Sequence, residues 1–334
     1  MPRRIRTVLF VVLALVTLAL ARLILFDAGR MPSSSAPLPN PNGYDDFLKA
    51  GAAVTGDLAR TSDLDELHAL VATNSEALRL LSLGLTRRSS LSTVSAITNF
   101  GATMHDLPKF KALALLLEVN GRLAELEHRP AEAAANYVKA MRLGNEMSRG
   151  GFVIHRLVGV ACQAIGSRSL TKLLPTLTCE EARPFIPELQ ELDASAVTWD
   201  EVSRNERAFS RYELRKSYNP FKPIVAWWQS RLVIRRAETR HDMAMAHVRL
   251  MALEAALRCY ISAHRHAPAS LQELVPEYLD HMPDDPFNGR PLIYRGQGTN
   301  WLLYSVGPDG VDDHGKRVGR GPESKGDLFF DSPW

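Results

Sequence analysis

Apolar residues recur every three or four positions from Tyr44 to about residue 200, most clearly over Leu107–Glu127, Ala131–Met147 and Val153–Leu174. That spacing places the apolar side chains on one face of a helix. The strict alternation of apolar and polar residues that is typical of half-buried strands does not occur in this part of the chain. The pattern therefore predicts a helical domain over residues 44–200.

The pattern changes towards the C-terminal end. An apolar stripe predicts one long helix from about Arg236 to His264, and Pro268 follows it. Beyond it the sequence predicts a short helix and then three apolar strand-like runs, separated by turn residues; these are Leu271–Tyr278, Leu292–Tyr294, Trp301–Ser305 and Leu328–Phe330. The expected fold is mainly α, with a small α+β domain over residues 236–334 that combines a stem helix with a short antiparallel sheet.

The N-terminal 29 residues have the pattern of a membrane anchor. The stretch from Thr7 to Phe26 is almost wholly apolar, and its length of about 20 residues is enough for a helix to cross a bilayer. Three arginines precede it, which predicts that this end stays in the cytoplasm and the body lies across the membrane. A cleaved signal peptide is the alternative, because Ala19-Leu20-Ala21 has the form of a peptidase site. Residues 30–43 are rich in proline and serine and predict an extended tether.

Composition and charge exclude several classes of protein. The 334 residues are 46% hydrophobic and 23% charged, which is typical of a globular protein rather than a disordered chain or a many-span channel. The net charge of +3 is too small to indicate a nucleic-acid partner. Three cysteines permit at most one disulfide and leave an odd thiol.

A basic segment, residues 201–235, is predicted to link the two domains. Prolines interrupt its helical pattern, and Trp227 and Trp228 lie among arginines. Aromatic rings beside basic side chains favour a membrane interface or an acidic partner. The alternative is that both indoles are core residues and the arginines form a solvated face.

Sequence motifs for catalysis are absent. No nucleophile elbow, phosphate-binding loop or zinc-helix spacing of histidines occurs, and the ten histidines are scattered. We therefore expect a structural or interaction protein that is not an enzyme, and the sequence identifies no small-molecule substrate. The alternative is an extracytoplasmic enzyme or carrier with a site between the helical domain and the acidic C-terminal head.

The C-terminal residues also carry a resemblance. Pro268, Leu271–Leu279, Pro283–Phe287, Gly307–Gly310 and Asp312-Asp313 follow one another in an order that resembles the C-terminal part of the major pseudopilin of bacterial type II secretion systems. The resemblance implies a stem helix packed on a small antiparallel sheet and an aspartate-rich loop that holds calcium. It places the anchor in the bacterial inner membrane and the body in the periplasm, with a protein partner in the envelope such as a secretion or pilus-like machine.

The metal site implied by the resemblance comprises five residues. Asp309, Asp312 and Asp313 would supply carboxylates from the loop, and Ser305 and Asp327 would close the shell from the flanking strands.

One departure from the family changes the expected role. Pseudopilins carry a leader cut site and a glutamate at their membrane helix, and residues 1–26 contain neither. Assembly into a pilus is therefore not expected. The layout is instead similar to anchored helical proteins of Planctomycetes-type bacteria, with a pseudopilin-like head added.

Overall fold

The computed structural model describes residues 37–58, 63–215, 222–319 and 324–334, with the backbone alone for 214, 215 and 222–231. The predicted membrane segment, residues 7–26, and about half of the tether lie outside these ranges. Within them, no helix is both long enough and apolar enough to span a bilayer.

Ten helices form the helical body in the described part of the chain. They are α1 (Gly43–Ala53), α2 (Leu64–Thr73), α3 (Ser75–Thr86), α4 (Thr93–Thr98), α5 (Phe100–Leu126), α6 (Pro130–Glu146), α7 (Val153–Leu173), α8 (Cys179–Ala182), α9 (Phe185–Ala194) and α10 (Trp199–Arg215), with a 3-10 turn at Leu174–Thr176. The prediction that this part of the chain is helical is confirmed. The central helices begin and end within a few residues of the predicted positions, except that α5 begins at Phe100.

Local sequence accounts for several helix boundaries. The Asp63 carboxylate accepts from the backbone N–H groups of Asp65 and Glu66 and so caps α2. Thr178 and Glu181 form a reciprocal capping box at α8. Pro130 occupies the first turn of α6, where a missing N–H costs no helical hydrogen bond.

A helix of 43 residues, α11 (Lys222–His264), leads into the head. The predicted start at about Arg236 is too late. Pro223 lies in the first turn, where its ring starts a helix rather than interrupting one. The segment predicted as a linker is thus taken up by α10 and the beginning of α11, apart from residues 216–221. The side chains of Trp227 and Trp228 lie outside the described residues.

The head contains a two-stranded antiparallel sheet. Strands β1 (Ile293–Gln297) and β2 (Asn300–Tyr304) pair from Ile293 opposite Tyr304 to Gln297 opposite Asn300. The short helix expected at Leu271–Tyr278 is a 3-10 turn over Leu271–Leu274. The expected third strand is reduced to one bridge between Ser305 and Leu328. The coarse prediction, mainly helical with a small antiparallel sheet near the C-terminal end, is confirmed.

One apolar core joins the head to the helical body. It contains Tyr137 of α6, Leu170 of α7 and Leu253 of α11 together with head residues such as Leu303 and Leu328, all buried. Polar contacts follow the same seam: Gln190 of α9 bonds the backbone of Asp280 and His281, at 3.1 and 3.2 Å. The head is therefore packed on the body.

A disulfide crosses this structure. Cys179 at the start of α8 is bonded to Cys259 of α11, with a Cα–Cα distance of 4.7 Å and a sequence separation of 80 residues. Cys162 in α7 is free and buried, and burial raises the pKa of its thiol to about 12. The expectation of at most one bridge and an odd thiol is met by this pairing.

Candidate functional site

The aspartate loop follows β2, and two of its carboxylates are engaged within the loop. Asp309 is exposed, and its Oδ1 accepts from the backbone N–H of Val311 at 3.3 Å. Asp312 Oδ1 accepts from the Tyr304 hydroxyl at 2.9 Å and from the backbone N–H of His314 at 2.8 Å. These bonds lower the pKa of Asp312. The Asp313 side chain makes no hydrogen bond or ion pair with a described residue.

Asp327 organises the far side of this loop. Its side chain is fully buried, and its oxygens accept from the backbone N–H groups of Asp313 at 3.2 Å and Gly315 at 2.6 Å. Burial raises the pKa of Asp327, and the carboxylates of Asp312 and Asp313 raise it further. The structure thus brings Asp312, Asp313 and Asp327 into electrostatic contact with one another.

Ser305 has a different partner. Its hydroxyl donates to Asp285 Oδ1 at 3.0 Å, and the backbone N–H of Val306 donates to Asp285 Oδ2 at 2.8 Å. Asp285 is buried and also accepts from the backbone N–H of Phe287, at 3.0 Å. The sequence signal for this residue was the Pro-Asp-Asp-Pro turn, which predicts its role within the turn but not its bond to β2.

The five predicted ligands therefore divide into groups. The carboxylates of Asp312, Asp313 and Asp327 form one group. Ser305 is bonded to Asp285 instead, and Asp309 bonds within its own turn. Across the described ranges, no group of three or more His, Cys, Asp or Glu side chains has the arrangement of a metal site. The residues whose chemistry fits a calcium ion are Asp312, Asp313 and Asp327, since calcium prefers carboxylate oxygens.

A groove of about 340 Å³ lies between the helical body and the head. Its walls come from the segment around α8, from the last two turns of α11 and from the β1–β2 turn, and the lining residues are Leu177, Thr178, Cys179, Ala182, Arg258, Ile261, Ser262, Arg265, Thr299 and Trp301. The Cys179–Cys259 disulfide joins two of these walls. No sequence motif marks these lining residues, because they come from three separate segments of the chain.

A buried glutamate positions two side chains of the groove. Glu254 is 3% exposed; its Oε1 accepts from Arg258 Nε at 2.9 Å and its Oε2 from Trp301 Nε1 at 2.9 Å. Burial raises the pKa of Glu254, and the bonds from Trp301 and Arg258 oppose that rise. The Arg258 guanidinium lies 5.5 Å from the centre of the Trp301 ring. Three side chains on two elements are thus held in one arrangement.

Arg265 also lines the groove. It follows the last residue of α11 with a φ of 64°, and its backbone N–H donates to the Ile261 carbonyl at 2.8 Å, as in a left-handed helix cap. Next to it, the Ala267 N–H donates to the Gly298 carbonyl at 2.7 Å and holds the β1–β2 turn against the helix end. The Arg265 side chain is exposed and forms no ion pair with a described residue.

No protein-family model, curated protein or solved structure matches this chain.

Proposed function

We propose that this chain is an extracytoplasmic structural or interaction protein, held at the bacterial inner membrane by residues 7–26 and not an enzyme. The observation that carries the proposal is the Cys179–Cys259 disulfide. Disulfides persist in oxidising compartments such as the periplasm and are rare in the cytosol. This supports a body on the far side of the membrane from the basic N-terminal flank.

The packing of the head supports a scaffold role. Arg249 of α11 donates to Asp193 of α9 at 2.8 Å and to the Asp284 carbonyl of the head at 2.6 Å. Together with the shared core, this contact fixes the head to the body. Such a molecule would present the aspartate loop at a set position to a protein partner in the envelope. The pseudopilin resemblance extends the proposal to a secretion or pilus-like machine.

Calcium is part of the same proposal. The Asp312 and Asp313 carboxylates lie close enough to the buried Asp327 to add to the rise in its pKa that burial causes, and a cation among the three would relieve this repulsion. A divalent ion with flexible oxygen geometry fits a loop of this kind. The proposed ligands are Asp312, Asp313 and Asp327, with Asp309 and Ser305 as the further residues named by the resemblance.

The redox state of the cysteines in the cell tests the proposed compartment. Cells are lysed in denaturant containing N-ethylmaleimide, and the protein is digested without reductant and analysed by mass spectrometry. We expect a linked pair of peptides containing Cys179 and Cys259, while Cys162 carries the maleimide and serves as the internal control. Recovery of Cys179 and Cys259 as maleimide adducts would contradict an extracytoplasmic body.

The N-terminal peptide of the same digest separates the anchor from its alternative. Recovery of residues before Arg22 in the mature protein supports the anchor, and a mature protein that starts at Arg22 supports a signal peptide.

The groove favours a carrier as the second candidate function. It lies between body and head, where a carrier site was expected, and its lining is charged. Its lining contains two arginines and three hydroxyl side chains but no histidine or carboxylate to act as a general base. The lining is thus better suited to binding than to catalysis.

A further inference from the structure

We propose that the groove beside the disulfide binds the C-terminal carboxylate of a peptide whose last residue is apolar. The inference goes beyond the scaffold role and does not depend on the compartment or on calcium, because only groove residues enter it. Charge, hydrogen-bonding capacity and shape each support this ligand.

The charge of the groove favours an anion. Glu254 lies behind the lining and compensates Arg258. Arg265 has no carboxylate partner among the described residues, and the lining itself contains no acid. Arg265 is therefore a positive charge of the lining without a carboxylate partner in the described residues. A single carboxylate would neutralise it.

The donors available match a carboxylate. Arg258 uses Nε and Nη2 on one oxygen of Glu254, so its Nη1 has no partner in the described residues. A guanidinium carries five N–H donors in a planar fork, which leaves donors of Arg258 and all of those of the Arg265 side chain for a ligand. Both side chains line the same groove. The hydroxyl groups of Ser262 and Thr299 add further donors, whereas the Thr178 hydroxyl already donates to Glu181 Oε2 at 2.8 Å.

The apolar part of the lining favours a chain end over an inorganic anion. Leu177, Ala182, Ile261 and the Trp301 ring line the remainder of the groove. A volume of about 340 Å³ holds one apolar side chain with its carboxylate and adjoining backbone, and the groove opens to solvent so that the rest of the peptide can leave it. A free phosphate would leave this apolar surface uncovered.

Fluorescence anisotropy with labelled pentapeptides tests the proposal on the purified full chain in detergent. The probe is fluorescein-Gly-Ser-Gly-Ala-Leu with a free carboxylate, compared with the same peptide amidated at its C-terminus. A third peptide, fluorescein-Gly-Ser-Asp-Ala-Leu-amide, carries its carboxylate on a side chain. We expect the free-carboxylate probe to bind at least about tenfold more tightly than either amide, because a charge-assisted hydrogen bond contributes more than a neutral one.

Two arginine substitutions assign the binding to the groove. Arg265→Gln removes an exposed side chain that holds no described partner, so the fold should be kept, and the preference for the carboxylate should fall about tenfold or more. Arg290→Gln is the matched control, since Arg290 is an exposed arginine of the head outside the groove. It should leave binding unchanged.

Four results would overturn the proposal. They are no binding of the free-carboxylate probe at about 1 mM, equal binding of its amide, equal binding of the side-chain carboxylate, or an equal loss in Arg265→Gln and Arg290→Gln. A preference for the free carboxylate that is lost only in Arg265→Gln would support it. None of these results bears on the redox state of the cysteines, so the two proposals fail separately.

Discussion

At the scale of single residues, burial and a neighbouring buried arginine keep one histidine neutral. Arg156 is 1% exposed; its Nε donates to His241 Nδ1 at 2.8 Å and its Nη1 to Gln163 Oε1 at 3.2 Å. Burial lowers the pKa of Arg156 to about 10, and the Asp242 carboxylate partly offsets that effect. Burial, with the charges of Arg156 and Arg249, lowers the pKa of His241 to about 3. His241 is therefore neutral and serves as an acceptor between α7 and α11.

His247 is a second buried histidine, and its effect on stability at low pH can be measured. It is fully buried, its Nδ1 lies 3.3 Å from the Phe330 carbonyl, and its ring stacks on Trp334 at 4.5 Å. Burial lowers its pKa to about 4, below the unfolded value of about 6.5. Between those values the unfolded chain binds the proton and the folded chain does not, so this residue reduces the free energy of unfolding as pH falls.

We predict that the free energy of unfolding of His247→Phe falls less on acidification than that of the wild-type chain. Phenylalanine keeps a ring against Trp334 and has no proton to bind, so the slope of unfolding free energy against pH should change by up to about 1.4 kcal/mol per pH unit between pH 4 and 6.5. Urea unfolding at several pH values measures it. His281→Phe, at an exposed position, is the control, and parallel curves for wild type and His247→Phe would show that His247 does not titrate between the two states.

At the scale of elements, two glycines allow a close contact between helices α6 and α7. A Cβ on Gly159 of α7 would lie 2.1 Å from Ser148 Oγ and 2.2 Å from the Gly144 carbonyl of α6. A Cβ on Gly144 would lie 2.2 Å from the Gly159 carbonyl. The two backbones are therefore in direct contact, and neither position has room for a side chain.

We predict that Gly159→Ala separates α6 from α7 and destabilises the protein by about 1–3 kcal/mol. The matched control is Gly101→Ala in α5, where a Cβ would meet nothing within 4 Å. Alanine has the higher helix propensity, so that variant should be neutral or more stable by up to about 1 kcal/mol. Urea unfolding distinguishes the two, and equal stability of both variants would contradict the close contact.

The elements also show what the sequence could predict. Helices α6 and α7 were predictable because an amphipathic or wholly apolar period depends on the local sequence alone. The predicted start of α11 was wrong because proline can either interrupt a helix or begin one. Proline breaks a helix in its interior and is tolerated in its first turn, and the local sequence does not distinguish these two positions. The groove and the Asp285–Ser305 hydrogen bond bring together residues that are far apart in sequence. A local sequence pattern does not predict such contacts.

At the scale of the molecule, body and head should unfold together. Their apolar residues form one core, and the C-terminal segment returns to α7, where Thr171 Oγ1 bonds the Phe330 carbonyl and Trp334 Nε1 bonds Ser167 Oγ at 3.1 Å. The disulfide adds a cross-link between body and α11. A ligand of the head should therefore stabilise the whole chain and not the head alone.

This coupling makes calcium testable on the full protein. An ion that binds only the folded state stabilises it by RT ln(1 + [L]/Kd), about 2.7 kcal/mol at a concentration one hundred times Kd. We predict a single melting transition that is higher in calcium than in chelator. Asp313→Asn should abolish the difference while leaving the melting temperature in chelator nearly unchanged, because the Asp313 side chain bonds no described residue. Asp280→Asn, an exposed aspartate elsewhere on the head, should retain the full calcium effect. Equal melting of the wild-type chain in calcium and in chelator would remove calcium from the proposal, and a shift retained in Asp313→Asn would place the ion elsewhere.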